Sequence, residues 1–141
     1  MIEIVNRQRR RRMSSKAWRK FGEQALRAID CAKRDATIVF VSDRSIRDLN
    51  RLFRQKNRAT DVLSFPTKAE RFETDLWAHL GEVVVSVERA AEQAKRKGLR
   101  FQNEVEQLIL HGLLHLCGYD HETDKGEMNR LELRLRKKLG I

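Results

Sequence analysis

The chain has 141 residues, 40% hydrophobic and 35% charged, with a net charge of +10 and an isoelectric point near 10.2. That length gives one ordinary domain with a core of its own, and no apolar run approaches the ~18 residues that a membrane-spanning helix requires. The excess charge is confined to residues 1–60, which hold 17 Lys and Arg against 6 Asp and Glu, while residues 61–141 hold 13 against 14. Such asymmetry suits a polyanionic partner, nucleic acid above all, although a basic surface also serves hydration alone.

In chain order, MIEIVN (1–6) alternates Ile2 and Ile4 with polar neighbours, as a half-buried strand does. No apolar segment follows the basic residues, so the start does not read as a secretory signal. Glu3 and the strand pattern also fit an organelle transit peptide badly. RQRRRR (7–12) reads as a loop by charge repulsion. Ser14 or Ser15 then caps a helix whose apolar face runs through Trp18, Phe21, Ala25, Ala28, Ile29 and Ala32. TIVFV (37–41) is apolar throughout and predicts a central strand. A second helix starts near Asp43 or Ser45, places Ile46, Leu49 and Phe53 on one face, and ends around Arg54.

After the loop RQKNRATD, VLSFP (62–66) predicts a short strand closed by the only proline. Residues 67–80 show no period and read as a loop, either functional or a tolerated insertion. GEVVVSV (81–87) predicts the last strand, and ERAAEQAKRKG a helix ended by Gly98. In FQNEVEQLILHGLLHLCG (101–118), Phe101, Val105, Leu108, Gly112 and Leu116 form a core stripe. Leu110, Leu113, Leu114 and Cys117 make the last two turns apolar nearly all round, which marks a helix buried inside the fold. Gly118 stops it, and a final helix (about 124–139) lines up Met128, Leu131, Leu135 and Leu139. The expected architecture is one α/β (α+β) domain over residues 1–141. It has a small mixed four-stranded sheet packed with about five helices, and a metal site at the end of the buried helix.

Three of the four histidines lie in HGLLHLCGYDH (111–121). His111 and His115 are four apart, so both imidazoles leave one side of the helix, and the turn after Gly118 brings His121 back toward them. Three imidazoles with a fourth position open is the pattern of a catalytic zinc, although nickel or another imidazole-binding divalent ion also suits it. A hydrogen-bonded histidine network is the plainer alternative. Cys117, two residues beyond His115, points about 200° away around the helix and does not complete the set. His79 stands alone and reads as surface. The spacing H-x-x-x-H-x-x-G-x-x-H is that of the metzincin proteases, whose general base is a glutamate just after the first histidine. Gly112 stands there instead, which argues against peptide hydrolysis by that route. Asp120 either orients a ligand or caps the turn. The two cysteines, Cys31 and Cys117, form no disulfide framework, read as small buried apolar residues, and point to a reducing cytoplasm.

Three blocks together resemble the YbeY family, bacterial endoribonucleases that mature ribosomal RNA. They are HGLLHLCGYDH, LNRLFRQKNRATDVLSFP (49–66) and GEVVVS (81–86). Phe53, Ala59 and Glu82 depart from that family's usual tyrosine, proline and aspartate, and none of these changes removes a ligand. The resemblance implies a zinc-dependent endoribonuclease specific for single strands, acting on the 3′ end of 16S ribosomal RNA and in ribosome quality control. It also implies one zinc ion on His111, His115 and His121, with Arg54 and His115 carrying catalysis. The implied partners are an rRNA precursor in a pre-ribosomal particle, with ribosomal proteins or assembly GTPases beside it. Arg9 to Arg12 are candidates for tracking the RNA backbone. A non-catalytic ribosome-assembly factor with a structural metal is the alternative from another class, and a metalloprotease-like hydrolase comes third.

Overall fold

The strand apolar on both faces lies inside a sheet. The computed structural model describes residues 1–67, 79–120 and 122–141. In it β2 (Asp35–Val41) is flanked by parallel β1 (Ile2–Asn6) and parallel β4 (His79–Ser86), while β3 (Val62–Pro66) runs antiparallel on the far side of β4. Helices α1 (Ser15–Ile29), α2 (Asp43–Arg54), α3 (Val87–Lys97), α4 (Phe101–Leu116) and α5 (Glu127–Leu139) complete the elements among the described residues. The mixed four-stranded sheet with five helices is the architecture that the sequence predicts.

Alternation along the strands divides the sheet into two unequal faces. Ile2, Ile38, Phe40, Val83 and Val85 point into the main core with residues of α1, α3, α4 and α5. Val41, Leu63 and Val84 point the other way and form a small cluster with Ile46 of α2. The main core is built around α4, in which Val105, Ile109, Leu110, Leu113 and Leu114 are fully buried. This helix touches α1, α3, α5, β3 and β4. Each of its buried leucines is worth ~1.5–3 kcal/mol of transfer free energy.

Element ends differ from the sequence reading where a local cap intervenes. Asp30 adopts the left-handed conformation (φ 70°), with its N–H donating to Arg27 O, so α1 stops before Ala32. Ser86 accepts from Arg89 N at 3.2 Å, which ends β4 one residue early and starts α3 at Val87. The Asp124 carboxylate accepts from Gly126 N and Met128 N, both at 2.8 Å, so residues 124–126 form a cap and α5 begins at Glu127. Of the expected loop 67–80, residues 68–78 lie outside the described residues. His79 and Leu80 belong to β4, and Thr67 N donates to Leu80 O at 2.9 Å.

One glycine sets how closely α4 approaches the sheet. A Cβ on Gly112 would lie 2.5 Å from Val83 Cγ1 and 3.2 Å from Ser64 Oγ, and Ser64 Oγ donates to Gly112 O at 3.2 Å. The helix backbone therefore rests directly on β3 and β4. Gly112→Ala is expected to lower unfolding stability by ~1–3 kcal/mol through overpacking. Chemical denaturation checks this, and adding Val83→Ala should recover part of the loss, because the two changes act on one contact.

Candidate functional site

The last two turns of α4 lie on the main core, and their one polar side carries two histidines. His111 Nε2 and His115 Nε2 stand 3.1 Å apart, with the rings inclined at 78° and their centroids 4.7 Å apart. On its other side, His111 Nδ1 meets Glu132 Oε1 of α5 at 2.5 Å, while Glu132 Oε2 accepts from Arg136 Nη2 at 2.7 Å. Glu132 is buried. Burial alone would raise its carboxyl, but the His111 hydrogen bond and charge, with Arg136, outweigh it and hold the group below the ordinary carboxylate range. A carboxylate on Nδ1 fixes the proton there and turns the Nε2 lone pair toward His115, the usual support of a metal-binding imidazole.

The end of α2 and the loop after it bring cations to the cleft that the histidines line. Asn50 is buried and donates through Nδ2 to Arg58 O at 3.0 Å, while Lys56 N donates to Asn50 O at 3.2 Å, so the loop is tied to the helix. Gln55 takes the left-handed conformation that ends α2 (φ 58°). Arg54, Lys56 and Arg58 line a cleft of about 520 Å³ together with Ser64, His111, His115, Tyr119, Asp120 and Glu122. Arg54 reaches over the outer edge of β3, where Nη2 makes a long hydrogen bond of 3.5 Å to Ser64 O.

Of the residues expected at the site, His111, His115 and Arg54 share this cleft. His121 lies outside the described residues. Gly118 has φ 98°, a left-handed value that suits the end of α4. Among the described residues no group of three His, Cys, Asp or Glu side chains converges on a point. Two converging imidazole nitrogens, one backed by a buried carboxylate, nonetheless have the donor chemistry that zinc and similar divalent ions prefer. Asp120 caps the turn: its Oδ1 accepts from Glu122 N at 3.0 Å, and its carbonyl accepts from Asp124 N at 3.2 Å. The base position of the protease signature is closed, since Val83 occupies the space into which any side chain at 112 would grow.

Other expectations are relocated. Arg11 lies over the Phe101 ring at 3.9 Å, at the start of α4 and roughly 21 Å of helix from His115, and Arg10 pairs with Glu88 in the first turn of α3 at 3.2 Å. The cations lining the cleft come from α2 and its loop instead. Cys117 is not among the residues lining the cleft. It and Cys31 are half-buried rather than fully buried, and their Sγ atoms are in contact at 3.1 Å. Burial first, then the hydrogen bond with Cys31, pushes the Cys117 thiol up to about 12. His79 sits 3.7 Å from Glu82, outside the cleft lining. Sequence reasoning missed Glu132, although its position four residues after the buried Met128, on the apolar side of α5, was a usable signal.

A family model described as endoribonuclease YbeY matches residues 3–140. A Nautilia profundicola protein named endoribonuclease YbeY is 44% identical over 108 residues, covering 77% of this chain and 74% of its own. The Geobacter metallireducens protein of the same name is 36% identical over 141 residues, covering 99% of this chain and 94% of its own. The solution structure of a Thermotoga maritima target protein aligns with a TM-score of 0.66 at 28% identity, covering 99% of this chain and 89% of that one.

The His111–Glu132 contact yields a direct expectation. Glu132→Gln keeps the shape but removes the charge, and it should weaken binding of added Zn²⁺ about 10- to 100-fold. Competition against a chromophoric chelator measures this, and equal affinity would show that the carboxylate does not support the imidazole.

Proposed function

Because the chain belongs to the endoribonuclease YbeY family, we propose that it is an RNA-cleaving hydrolase that cuts single-stranded segments of ribosomal RNA precursors with a zinc ion held by His111, His115 and His121. The observation that carries this reading is the meeting of two unlike sets of side chains in one cleft: converging imidazole nitrogens on α4, and the cations Arg54, Lys56 and Arg58 from α2 and its loop. A metal-binding pair alone fits many hydrolases, and a set of cations alone fits any anion. Together they fit a phosphodiester, which needs charge neutralised on its oxygens while a bond to phosphorus breaks.

A divalent ion held by His111, His115 and His121 would supply Lewis acidity toward a bound phosphate. The side chains do the rest. Arg54, at the rim and only loosely engaged with Ser64 O, is free to turn its guanidinium onto a non-bridging phosphate oxygen, where paired N–H donors hold it. Lys56 and Arg58 draw in the flanking phosphates, and the Asn50 tether keeps both on the cleft side. Glu132 keeps the Nδ1 proton of His111 in place, so the Nε2 lone pair stays available. Position 112 supplies no carboxylate base, which disfavours amide hydrolysis by the protease route. A cleft of about 520 Å³ is the size for a nucleotide or two, so it favours an unpaired strand over a duplex. In this reading the substrate is the 3′ region of 16S ribosomal RNA in a cytoplasmic pre-ribosomal particle, with ribosomal proteins or assembly GTPases as neighbours.

His115→Ala is expected to abolish cleavage of a single-stranded RNA oligonucleotide and to lower the zinc content of the purified protein. Undiminished cleavage by the metal-free variant would sink the reading. Arg54→Ala should lower kcat/KM on the same substrate by about 10²- to 10³-fold with its melting curve unchanged. Arg54→Lys should recover only part of this, because an ammonium cannot make the paired contact.

A further inference from the structure

Next to these cations, α2 ends in two apolar side chains turned to solvent: Leu52 is 68% exposed and Phe53 66%. Most of α2's other apolar residues point inward, with Ile46 buried and Leu49 half-buried against the small cluster. Phe53 continues that stripe past the point where the sheet can cover it. Its ring meets that of Phe65 of β3 edge to face, with centroids 5.3 Å apart and planes at 70°, so the ring is held in orientation while most of its surface stays wet. It precedes Arg54 in the chain, and its partner Phe65 lies between Ser64 and Pro66; Arg54, Ser64 and Pro66 line the cleft. Arg51 is also exposed, its Asp48 contact being a long 3.7 Å.

An exposed aromatic face fixed by a second ring and bordered by cations is the local chemistry of a stacking platform for an unpaired base. We propose that Phe53 is a base-stacking residue: the nucleotide adjoining the phosphate held by Arg54 lays its base on the free face of the Phe53 ring. The inference rests on the reading of this cleft as a single-strand RNA site, and it adds a specificity element to it. The occupant is an unpaired nucleobase rather than a protein segment because the surroundings are cationic and the ring is held in orientation by Phe65. Arg54, Lys56 and Arg58 complement a phosphodiester chain, whereas an apolar protein helix would have to bury those charges.

The test uses the full chain with zinc, a fluorescent single-stranded oligoribonucleotide, and a matched set carrying one abasic ribose at each position in turn. Phe53→Ala and Phe53→Leu should raise KM on the intact strand by about 5- to 100-fold with kcat changed much less, and Phe53→Trp should preserve it. With the abasic ribose at one particular position, unsubstituted protein and Phe53→Leu should become equal. Phe53→Leu keeps an apolar contact to Phe65, so it remains informative if Phe53→Ala melts at a lower temperature. If both substitutions leave KM on every strand unchanged while the strand is still cut, the stacking role is overturned and the patch belongs to a partner protein. If Phe53→Leu behaves as the unsubstituted chain and Phe53→Ala does not, the ring is merely an apolar wall and stacking is again overturned. An unsubstituted chain that neither binds nor cuts the strand overturns the RNA reading itself, a different result from the first two.

Discussion

A helix that is apolar nearly all the way round can exist in water only if other elements enclose it, and α4 imposes that demand on the whole domain. The sheet supplies one side, with Val83 and Ser64 touching the helix backbone at Gly112, and α1, α3 and α5 supply the others. The histidines sit on the one strip that this enclosure leaves open, at the end facing the cleft. Their separation is thus set by 3.6-residue periodicity on a rigid, buried rod, and their height above the sheet by a glycine. A site on a loop would have neither constraint.

The same enclosure explains which parts of the molecule were legible in the sequence. The alternation of Ile2 and Ile4, the unbroken apolar run of β2 and the all-round apolar end of α4 were readable because each reports a solvent environment directly, and burial is what those patterns encode. Element ends were less so. Asp30 terminates α1 in a conformation more often taken by glycine, and Ser86 and Asp124 place the starts of α3 and α5 through single hydrogen bonds that hydrophobic periodicity does not register.

In the site, His111 and His115 were legible from spacing because both lie on one helix. That Arg54 belongs with them was expected only from family resemblance, since it lies on a separate helix, α2. The Phe53–Phe65 ring pair and the contact between Cys31 and Cys117, 86 residues apart, are meetings of separate elements to which no local pattern points. The arginine run at 9–12 shows the converse. It is the densest basic stretch of the chain, yet Arg10 and Arg11 are engaged by Glu88 of α3 and Phe101 of α4, while Arg54, Lys56 and Arg58 line the cleft. Charge density along a sequence measures the field of a molecule; which charges meet a ligand is decided by the backbone that carries them.

The contact between Gly112 and Val83 also shapes the routes by which this sequence can change. A glutamate at 112 would complete the zinc-protease signature on paper, but a Cβ there falls 2.5 Å from a Val83 methyl and 3.2 Å from the Ser64 hydroxyl. The single exchange is penalised by packing before any new chemistry could be selected. It becomes tolerable only after β4 has given up side-chain volume, a change that by itself leaves a void in the core. The two positions are bound in sign epistasis, each change harmful without the other. The steric fit between one helix and one strand thereby acts as a barrier in sequence space between two hydrolytic chemistries.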